Sequence, residues 1–359
     1  MLTEIAISNI RNLQSQQIYP GSRINLITGE NAAGKSSVLE AIQLLSLGRS
    51  FRTTHLDQVI SQTQHECWVR GRMSPGIPEK SSLLGFKRTA KKNSFRIDGQ
   101  EAKSVAQVAR LFPVQIIHPD SHLLVTGGPS ARRSFIDWGC FYMDDGFHPS
   151  WSHYRRTLAQ YNAALKMQLE HSTLHSLETE LSIHGEKIHQ LRVNYLNHLI
   201  KALPVADDLW PETEFRRIDY DSGWSADLEF AEALGQARNR SLKAGMAIVG
   251  PHRADLKLNF RHQPISEVFS RGQIKRVTVA LMLAQISLFE SSSGSTCTLL
   301  IDDITSELDP HSINLVSSVI NQREAQCFIT AISASELSSF NREDLRMFHV
   351  KHGCVNELV

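Results

Sequence analysis

The sequence predicts an α/β fold with a mixed sheet, into which a helical segment is inserted. An apolar strand at residues 24–27 leads through a glycine-containing turn into a helical stretch at residues 36–47. From Gly250 onward, strand and helix signals alternate again. Between these parts, residues 150–203 have the apolar spacing of helices, so a helical insertion separates two halves of one α/β core.

Length and charge narrow the class of protein. A chain of 359 residues is long enough for one large core that carries an insertion. Lysine and arginine (38) nearly balance aspartate and glutamate (37), so no overall positive field attracts nucleic acid or anionic lipid. Any contact with nucleic acid must therefore come from local basic patches.

The cysteines and the apolar runs predict a soluble, cytoplasmic protein. The five cysteines are scattered and form no C-x-x-C pair, which argues against a disulfide framework and against a zinc site. The N-terminal residues include Glu4 and lack the basic and apolar regions of a signal peptide. The uncharged run at residues 277–289 is too short to span a bilayer, so we expect no membrane association.

Residues 67–103 have the pattern of short strands and turns, with Asp98 and Gly99 in a tight hairpin turn. We expect this segment to form an antiparallel sheet beside the first strand, loop and helix.

Two apolar stripes mark the helical insertion. Spacings of three and four residues allow two helices to pair as a short antiparallel arm. Ordinary amphipathic helices on a globular core remain an equal alternative, because the stripes contain few heptads. Pro204 and Pro211 then break the helical run, and a polar, mixed segment follows to about Ala244. The stripes consist of Leu158, Tyr161, Leu165 and Leu169, and of Leu177, Leu181, Ile188, Leu191 and Tyr195.

The strongest motif is a complete G-x-x-x-x-G-K-S phosphate loop between the first strand and the first helix. Its two glycines let backbone N–H groups face phosphates, and the N-terminal end of the following helix adds positive potential. We expect Lys35 against the β- and γ-phosphates of ATP and the Ser36 hydroxyl against Mg²⁺. The loop consists of Gly29, Glu30, Asn31, Ala32, Ala33, Gly34, Lys35 and Ser36.

A second motif is the apolar strand at residues 298–301, which ends in Asp302 and Asp303. We expect Asp302 to complete the coordination of Mg²⁺ together with Ser36. Asp303 is then placed to orient or deprotonate the attacking water. Apolar runs that end in acidic residues are common, so this motif gains its weight from the phosphate loop. The catalytic candidates are Lys35, Asp302 and Asp303.

Two further segments resemble elements of ABC ATPases. The F-S-R-G-Q segment at residues 269–273 precedes a helix expected at residues 274–289 and resembles the ABC signature, S-G-G-Q. The S-E-L-D segment at residues 306–309 resembles the ABC D-loop, S-A-L-D. By itself the first segment is an ordinary helix start with Ser270 as N-cap. The resemblance implies instead that Ser270, Gly272 and Gln273 contact ATP held by a second copy, which would make an ATP-dependent homodimer.

The stretch between Lys35 and Asp302 is longer than one compact domain, which resembles the SMC-like arrangement of two ATPase halves around an arm. We therefore expect an ATPase lobe with flanking antiparallel strands at 1–128, a helical arm or lid domain at 129–244, and a second ATPase half at 245–359. The strand at residues 327–329 ends in Thr330, where transporter ATPases usually place a switch histidine. Thr330 either contacts the γ-phosphate region through its hydroxyl or is a plain strand residue.

Over essentially its whole length the chain resembles the RecF family of bacterial recombination mediators, which are related to SMC proteins. Ala254 departs from the pattern, because the first of two acidic residues usually stands there. The segments that carry the resemblance, besides the motifs above, are N-I-R-N-L (9–13), S-V-L-E-A-I (37–42), G-R-S-F-R (48–52), G-P (128–129), R-R-S-F-I-D (132–137) and G-P-H-R-A-D-L (250–256).

The resemblance implies an ATP-dependent protein that binds single-stranded, gapped and double-stranded DNA. It would help RecO and RecR to load RecA in DNA repair, replication restart and SOS induction. It also implies that Arg11 and Ser37 belong to the nucleotide site. Asp303 is one methylene shorter than the glutamate of most ABC enzymes, so we expect a weak, DNA-dependent ATPase. The alternatives are a nucleotide-binding subunit of an ABC transporter, and a nuclease or phosphotransferase.

Basic clusters are the candidates for contact with the DNA backbone, which would be salt-dependent and largely non-specific. Such charge runs are more often solvated faces. His171 and His175 have a spacing that can bind zinc, but no third ligand is evident, which favours exposed helix histidines. The basic clusters are Lys87, Arg88, Lys91, Lys92 and Arg96; Arg132 and Arg133; and Arg155 and Arg156.

Overall fold

The computed structural model describes residues 1–74, 82–337, 339–341 and 345–358. The chain divides into two compact units. The first unit contains Met1–Ser121, Lys275–Ile286 and Gly294–Val359, and the second contains His122–Ile274 and Ser287–Ser293. The expected domain boundaries at residues 128 and 244 stay a prediction.

The strands and α-helices are numbered along the chain. The strands are β1 (Leu2–Ile10), β2 (Leu13–Ile18), β3 (Ile24–Thr28), β4 (Glu66–Met73), β5 (Ser82–Thr89), β6 (Asn93–Ile97), β7 (Gln100–Glu101), β8 (Val114–Ile117), β9 (Arg216–Asp221), β10 (Asp255–Phe260), β11 (Gln263–Pro264), β12 (Thr298–Ile301), β13 (Cys327–Ala331), β14 (Leu345–Lys351) and β15 (Cys354–Leu358). The helices are α1 (Lys35–Leu47), α2 (Val105–Leu111), α3 (Leu123–Thr126), α4 (Pro129–Met143), α5 (Phe147–Lys166), α6 (His171–Ala202), α7 (Phe230–Ala244), α8 (Ile265–Val268), α9 (Arg271–Ser293), α10 (Ile304–Glu307) and α11 (Pro310–Asn321).

A mixed sheet forms the centre of the first unit, with the strand order β15-β14-β3-β13-β12-β8. All its pairs are parallel except β14 with β15. Strands β3, β12 and β13 are buried along their whole length, which explains why they read as continuous apolar runs. Because these three strands are parallel, the segments that follow them meet at one edge of the sheet. The predicted mixed sheet is confirmed.

The first unit also contains an antiparallel sheet with the order β2-β1-β4-β5-β6-β7. Its β4 to β7 part confirms the sheet that residues 67–103 predict. Asp98 and Gly99 form the turn between β6 and β7, since Ile97 pairs with Gln100. Both turn residues have a positive φ, 51° and 83°, as a two-residue type I′ turn requires.

Helix α1 holds the two sheets of the first unit together. Almost all its residues from Lys35 to Ser46 are buried, and its apolar side chains share one core with β1, β4, β5 and β13. A helix that is apolar on most of its circumference is stable only in such a buried position. The start of α1, which carries Lys35 and Ser36, is therefore fixed relative to the central sheet.

Helices α5 and α6 are antiparallel neighbours in the second unit. The Tyr161 hydroxyl donates to Glu178, and the His153 ring stacks on the His184 ring. The partner on α6 thus comes later in the chain as the residue on α5 comes earlier. Helix α6 also packs against α4 and α7. The antiparallel pair of α5 and α6 is therefore part of a helical core in this unit. Of the predicted stripe residues, Leu169 lies outside both helices and is 39% exposed, because α5 ends at Lys166.

The polar, mixed segment expected up to Ala244 contains a strand and a helix that the sequence pattern did not predict. Strand β9 pairs with β10 in a three-stranded sheet of the order β11-β10-β9. Helix α7 buries Phe230, Leu234 and three small residues at spacings of three and four. Small buried residues give a weak apolar signal, which is why sequence periodicity missed this helix. None of the described helices is long and apolar enough to cross a membrane.

Candidate functional site: a phosphate loop beside paired carboxylates

The phosphate loop lies between β3 and α1, as predicted. Gly29 and Gly34 have φ values of 148° and 123°, which L side chains rarely adopt. A Cβ atom on Gly29 would also lie 2.3 Å from the carbonyl oxygen of Val350. These two glycines therefore allow the tight curl that turns the loop back towards the helix.

Asn12 braces the loop from the turn between β1 and β2. Its Nδ2 donates to the carbonyl oxygens of Ala32 (3.2 Å) and Ala33 (3.0 Å), and its Oδ1 accepts from the Ser37 hydroxyl at 3.1 Å. Asn12 is thus a site residue that the sequence pattern did not predict, and its only signal was its place in the N-I-R-N-L segment. Ser37, which the family resemblance assigned to the nucleotide site, is buried here as a partner of Asn12.

Lys35 is 7% exposed, and its ammonium group bonds to its own loop. Nζ donates to the carbonyl oxygens of Gly29 at 2.7 Å and Glu30 at 3.0 Å. These bonds hold the cation in the hollow of the loop, where phosphate oxygens are expected.

Asp302, which follows β12, contacts residues of α1 and of β13. Its Oδ1 accepts hydrogen bonds from the Ser36 hydroxyl and from the Thr330 hydroxyl, each at 2.8 Å. Burial raises the pKa of the Asp302 carboxyl, and the two hydroxyl donors act in the opposite direction. The predicted metal ligands Ser36 and Asp302 are thus adjacent.

Asp303 has a left-handed backbone, with φ 54° and ψ 52°. Its N–H donates to the Thr330 hydroxyl at 2.7 Å. Its Oδ1 is buried and has no hydrogen-bond partner among the described residues. A buried carboxylate oxygen without a partner is an unsatisfied acceptor, which is rare in folded proteins and marks a candidate functional group.

Thr330 is fully buried, and its hydroxyl proton points to Asp302. The two expectations for Thr330 were contact with the γ-phosphate region and a plain strand residue. The hydroxyl links the two aspartates, because parallel pairing of β12 with β13 places Thr330 beside Asp302. Contact of Thr330 with the γ-phosphate region stays a prediction.

Loop, carboxylates and Thr330 enclose one cavity of about 460 Å³ in the first unit. The oxygens that line it, a serine hydroxyl and two carboxylates, are the ligand type that Mg²⁺ prefers. The cavity is lined by Arg11, Asn12, Asn31, Ala32, Gly34, Lys35, Ser36, Ser37, Arg52, Pro119, Asp302, Asp303 and Thr330.

Arg11 and Arg52 reach this cavity from a network around Glu40. The fully buried carboxylate of Glu40 accepts two hydrogen bonds from Arg11, at 2.9 and 2.8 Å, and lies 3.6 Å from Arg52. Arg11 also donates to the carbonyl oxygen of Gln58 at 2.7 Å. Glu40 lies in α1, and its sequence signal was only its place in the S-V-L-E-A-I segment. It fixes two cations at the rim of the site.

Ser270, Gly272 and Gln273 lie in the second unit, where α9 begins three residues earlier than predicted, at Arg271. Ser270 and Gln273 form a reciprocal capping box: Gln273 N–H donates to Ser270 Oγ at 3.3 Å, and Ser270 N–H to Gln273 Oε1 at 2.8 Å. Ser270 and Gly272 are exposed. The N-cap interpretation of Ser270 is confirmed, and its contact with nucleotide stays a prediction.

The predicted basic clusters differ in how free their charges are. Lys91 and Lys92 are exposed at the turn between β5 and β6, and Arg155 and Arg156 are exposed on α5. Lys87 pairs with Glu66 at 2.8 Å, and Arg88 pairs with Asp57 at 2.7 Å.

Arg132 and Arg133 both make hydrogen bonds within the second unit, and their contact with DNA stays a prediction. Arg132 is 13% exposed at its side chain and binds both oxygens of Asp255, at 2.6 and 3.0 Å. Arg133 donates to the carbonyl oxygen of Ala254 at 2.8 Å. Both guanidinium groups therefore bind the G-P-H-R-A-D segment.

His171 and His175 are exposed on α6, as predicted. Their rings lie 6.3 Å apart, and His171 contacts Arg238. The described part of the chain contains no group of three or more His, Cys, Asp or Glu residues able to hold a metal ion.

Comparisons with known proteins agree with this geometry. The family model described as the RecF/RecN/SMC N terminal domain matches residues 1–356. A curated relative, the DNA replication and repair protein RecF of Aliivibrio salmonicida, is 36% identical over 355 residues, which cover 98% of each chain.

Solved structures extend the match. The recombination mediator protein RecF with ATP, from the RecFOR pathway, has a TM-score of 0.87 and 28% identity, and covers 100% of this chain and 97% of that one. The Smc head bound to the C-winged helix domain of ScpA has a TM-score of 0.60 at 12% identity, covers 99% and 96%, and supports the ABC-type ATPase fold alone. The chain therefore belongs to the RecF family, within the wider group of RecF, RecN and SMC proteins.

Proposed function

We propose that this chain is an ATP-dependent, DNA-binding recombination mediator that forms a homodimer when it binds ATP. The observation that carries the proposal is the meeting of Ser36, Asp302 and the orphaned oxygen of Asp303 beside the phosphate loop. The names of the similar proteins, which speak of DNA replication and repair and of RecF with ATP, support the DNA part.

The loop residues Gly29 to Ser36 would bind the triphosphate of ATP. The start of α1 lies at the cavity, since Lys35, Ser36 and Ser37 line it, and the N-terminal end of a helix adds positive potential. Lys35 would exchange the carbonyl oxygens of Gly29 and Glu30 for phosphate oxygens, which carry more negative charge. Arg11 lies at the rim of the same cavity and would add a second cation.

Ser36 and Asp302 would hold Mg²⁺, since both are oxygen ligands and their oxygens already lie within 2.8 Å of each other. When bound, the ion neutralises charge that develops on the β- and γ-phosphates. Asp303 would orient the attacking water or accept its proton through the oxygen that has no partner. Its short side chain supports weak hydrolysis, as suits a timed switch, and family membership supports a dependence on DNA.

A second copy would complete the site. Ser270 is exposed at the N-terminal end of the 23-residue helix α9, and such ends bind anions. In the proposed dimer, Ser270, Gly272 and Gln273 of one copy face the γ-phosphate held by the phosphate loop of the other. Hydrolysis would then open the dimer.

The closed dimer would grip DNA, whether single-stranded, gapped or double-stranded, through exposed cations such as Lys91 and Lys92. By family membership it would act with RecO and RecR to load RecA in repair, replication restart and SOS induction.

The test uses an Asp303→Asn variant, which keeps the site's shape and removes its proposed base. With Mg²⁺ and ATP, analytical ultracentrifugation should find a dimer. On an immobilised circular DNA that contains a single-strand gap, this variant should stay bound through a high-salt wash. An Asp303→Asn/Lys35→Ala variant is the matched control and should stay monomeric. A transporter subunit would dimerise without retaining DNA, and a nuclease would cut the DNA. A monomer with ATP would overturn the proposal.

A further inference from the structure

The hydroxyl of Thr330 joins the two aspartates of the site. It accepts a hydrogen bond from the Asp303 N–H at 2.7 Å and donates one to Asp302 Oδ1 at 2.8 Å. A threonine hydroxyl has a single proton, so the proton given to Asp302 is unavailable to a phosphate. Thr330 therefore differs in action from a histidine that reaches for the γ-phosphate.

Strand pairing places this hydroxyl. Ile301, the last residue of β12, pairs with Ile329 of β13. The two residues that follow them, Asp302 and Thr330, therefore lie side by side at the end of the sheet. Thr330 has no exposed surface. Its position is thus set by the packed sheet and is independent of the loops around the cavity.

Asp303 depends on this anchor more than Asp302 does. Asp302 Oδ1 has a second donor, Ser36, whereas the Asp303 carboxylate has a buried oxygen without a partner. The Asp303 backbone is also in the left-handed region, which a non-glycine residue keeps only when its surroundings hold it. Its carbonyl oxygen accepts hydrogen bonds from the N–H and the hydroxyl of Ser306, which belong to the following turn. The hydrogen bond from its N–H to Thr330 ties Asp303 to strand β13.

We propose that Thr330 is a positioning residue for ATP hydrolysis, which sets the carboxylates of Asp302 and Asp303 relative to each other from the end of β13. This inference rests on the function proposed above and goes beyond it by adding a residue of strand β13, outside the phosphate loop. It predicts a defect in the chemical step with nucleotide binding largely retained.

The central comparison is Thr330→Val against Thr330→Ser. Valine keeps the shape of threonine and loses the hydroxyl, whereas serine keeps the hydroxyl and loses the methyl group. Displacement of a catalytic group by about 1 Å can cost about 100-fold in rate. We expect Thr330→Val to lower kcat at least about tenfold with KM changed less than about threefold, and Thr330→Ser to retain most of the parental kcat.

Thr298→Val is the matched control. Thr298 is a buried threonine on the neighbouring strand β12, and three residues separate it from Asp302. The same substitution there should leave kcat and KM at parental values. If Thr330→Val does not fold, Thr330→Ala and Thr330→Ser make the same comparison, since they too differ only in the hydroxyl.

Steady-state ATP hydrolysis with DNA present gives kcat and KM, and ATP affinity is measured alongside. Parental kcat in Thr330→Val, or an equal loss in Thr330→Ser, would overturn the positioning role while leaving the proposed function intact. A parental chain that binds no ATP would instead overturn the proposed function itself. Loss confined to the variants without the hydroxyl, with ATP affinity kept, is the supporting result.

Discussion

Ser36 donates a hydrogen bond to Asp302 at 2.8 Å, although 266 positions separate the two residues along the chain. This contact joins the first turn of α1 with the residue that follows β12, and it defines the metal end of the site. If both oxygens hold Mg²⁺, removing either should weaken nucleotide binding only when Mg²⁺ is present.

Ser36→Ala and Asp302→Asn test that statement. A hydrogen bond to a charged group contributes about 1.5–3 kcal/mol, which corresponds to about tenfold or more in affinity. We expect each variant to weaken ATP binding by that factor in Mg²⁺ and to match the parental chain in EDTA, as measured by calorimetry. Equal weakening with and without Mg²⁺ would refute the assignment.

Lys35→Ala should abolish tight ATP binding. In the structure Nζ bonds to two carbonyl oxygens of the loop, so its loss also removes a brace from the loop. We expect Kd for ATP to rise at least about tenfold. Thermal unfolding is the control, because a changed loop should leave the buried core and the melting temperature nearly unchanged. Unaltered ATP affinity would contradict the proposed role of Lys35.

Charge reversal at Lys91 and Lys92 should weaken DNA binding and flatten its dependence on salt. Each lost phosphate contact lowers the salt slope by about 0.9 on B-form DNA. The matched control reverses Lys166 and Lys201, which are also exposed and change the net charge equally. Fluorescence anisotropy between low and moderate salt measures both slopes. An unchanged slope would remove the β5–β6 turn from the DNA interface.

Arg132→Met should destabilise the second unit. Loss of the guanidinium leaves Asp255 without its two charge-assisted hydrogen bonds, which costs about 2 kcal/mol or more. Urea unfolding measures the loss, and an Arg132→Met/Asp255→Leu double variant should lose less than the sum of its single changes. Strict additivity would mean that the pair contributes nothing to stability.

His252 should make the stability of the second unit fall in mild acid. Burial lowers the pKa of this imidazole to about 4, against 6.5 in an ordinary setting. Between those values the unfolded chain binds the extra proton, so stability is fully present above pH 6.5 and falls by at most ~1.4 kcal/mol per pH unit towards pH 4. Urea unfolding at pH 7.5 and 5.5 should show a smaller fall in His252→Gln; an equal fall in both chains would exclude His252 as the cause.

The sequence predicted the parts of the site that local chemistry determines. The phosphate loop needs its two glycines, its lysine and its serine at fixed spacing, and the apolar strand before Asp302 is a continuous run because both its faces are buried. These features can be recognised from one sequence because each depends on residues that are neighbours along the chain.

Other features depend on contacts between distant segments, and the sequence did not reveal them. The role of Thr330 follows from the register of β12 with β13, and that of Asn12 from a turn folded against the loop. Arg132 and Arg133 looked like a basic patch because their partners, Asp255 and the carbonyl of Ala254, lie more than a hundred residues away. Helix α7 was missed because small residues line its buried side.

The central claim, that each ATP lies between two copies of the chain, is tested most directly by mixing two inactive variants. Lys35→Ala disables the phosphate loop, and Ser270→Arg disables the signature, so neither variant alone should hydrolyse ATP or dimerise. A mixed dimer combines the intact Lys35 of one copy with the intact Ser270 of the other. We predict that mixing restores ATP hydrolysis and ATP-dependent association; no gain at any mixing ratio would contradict the shared site.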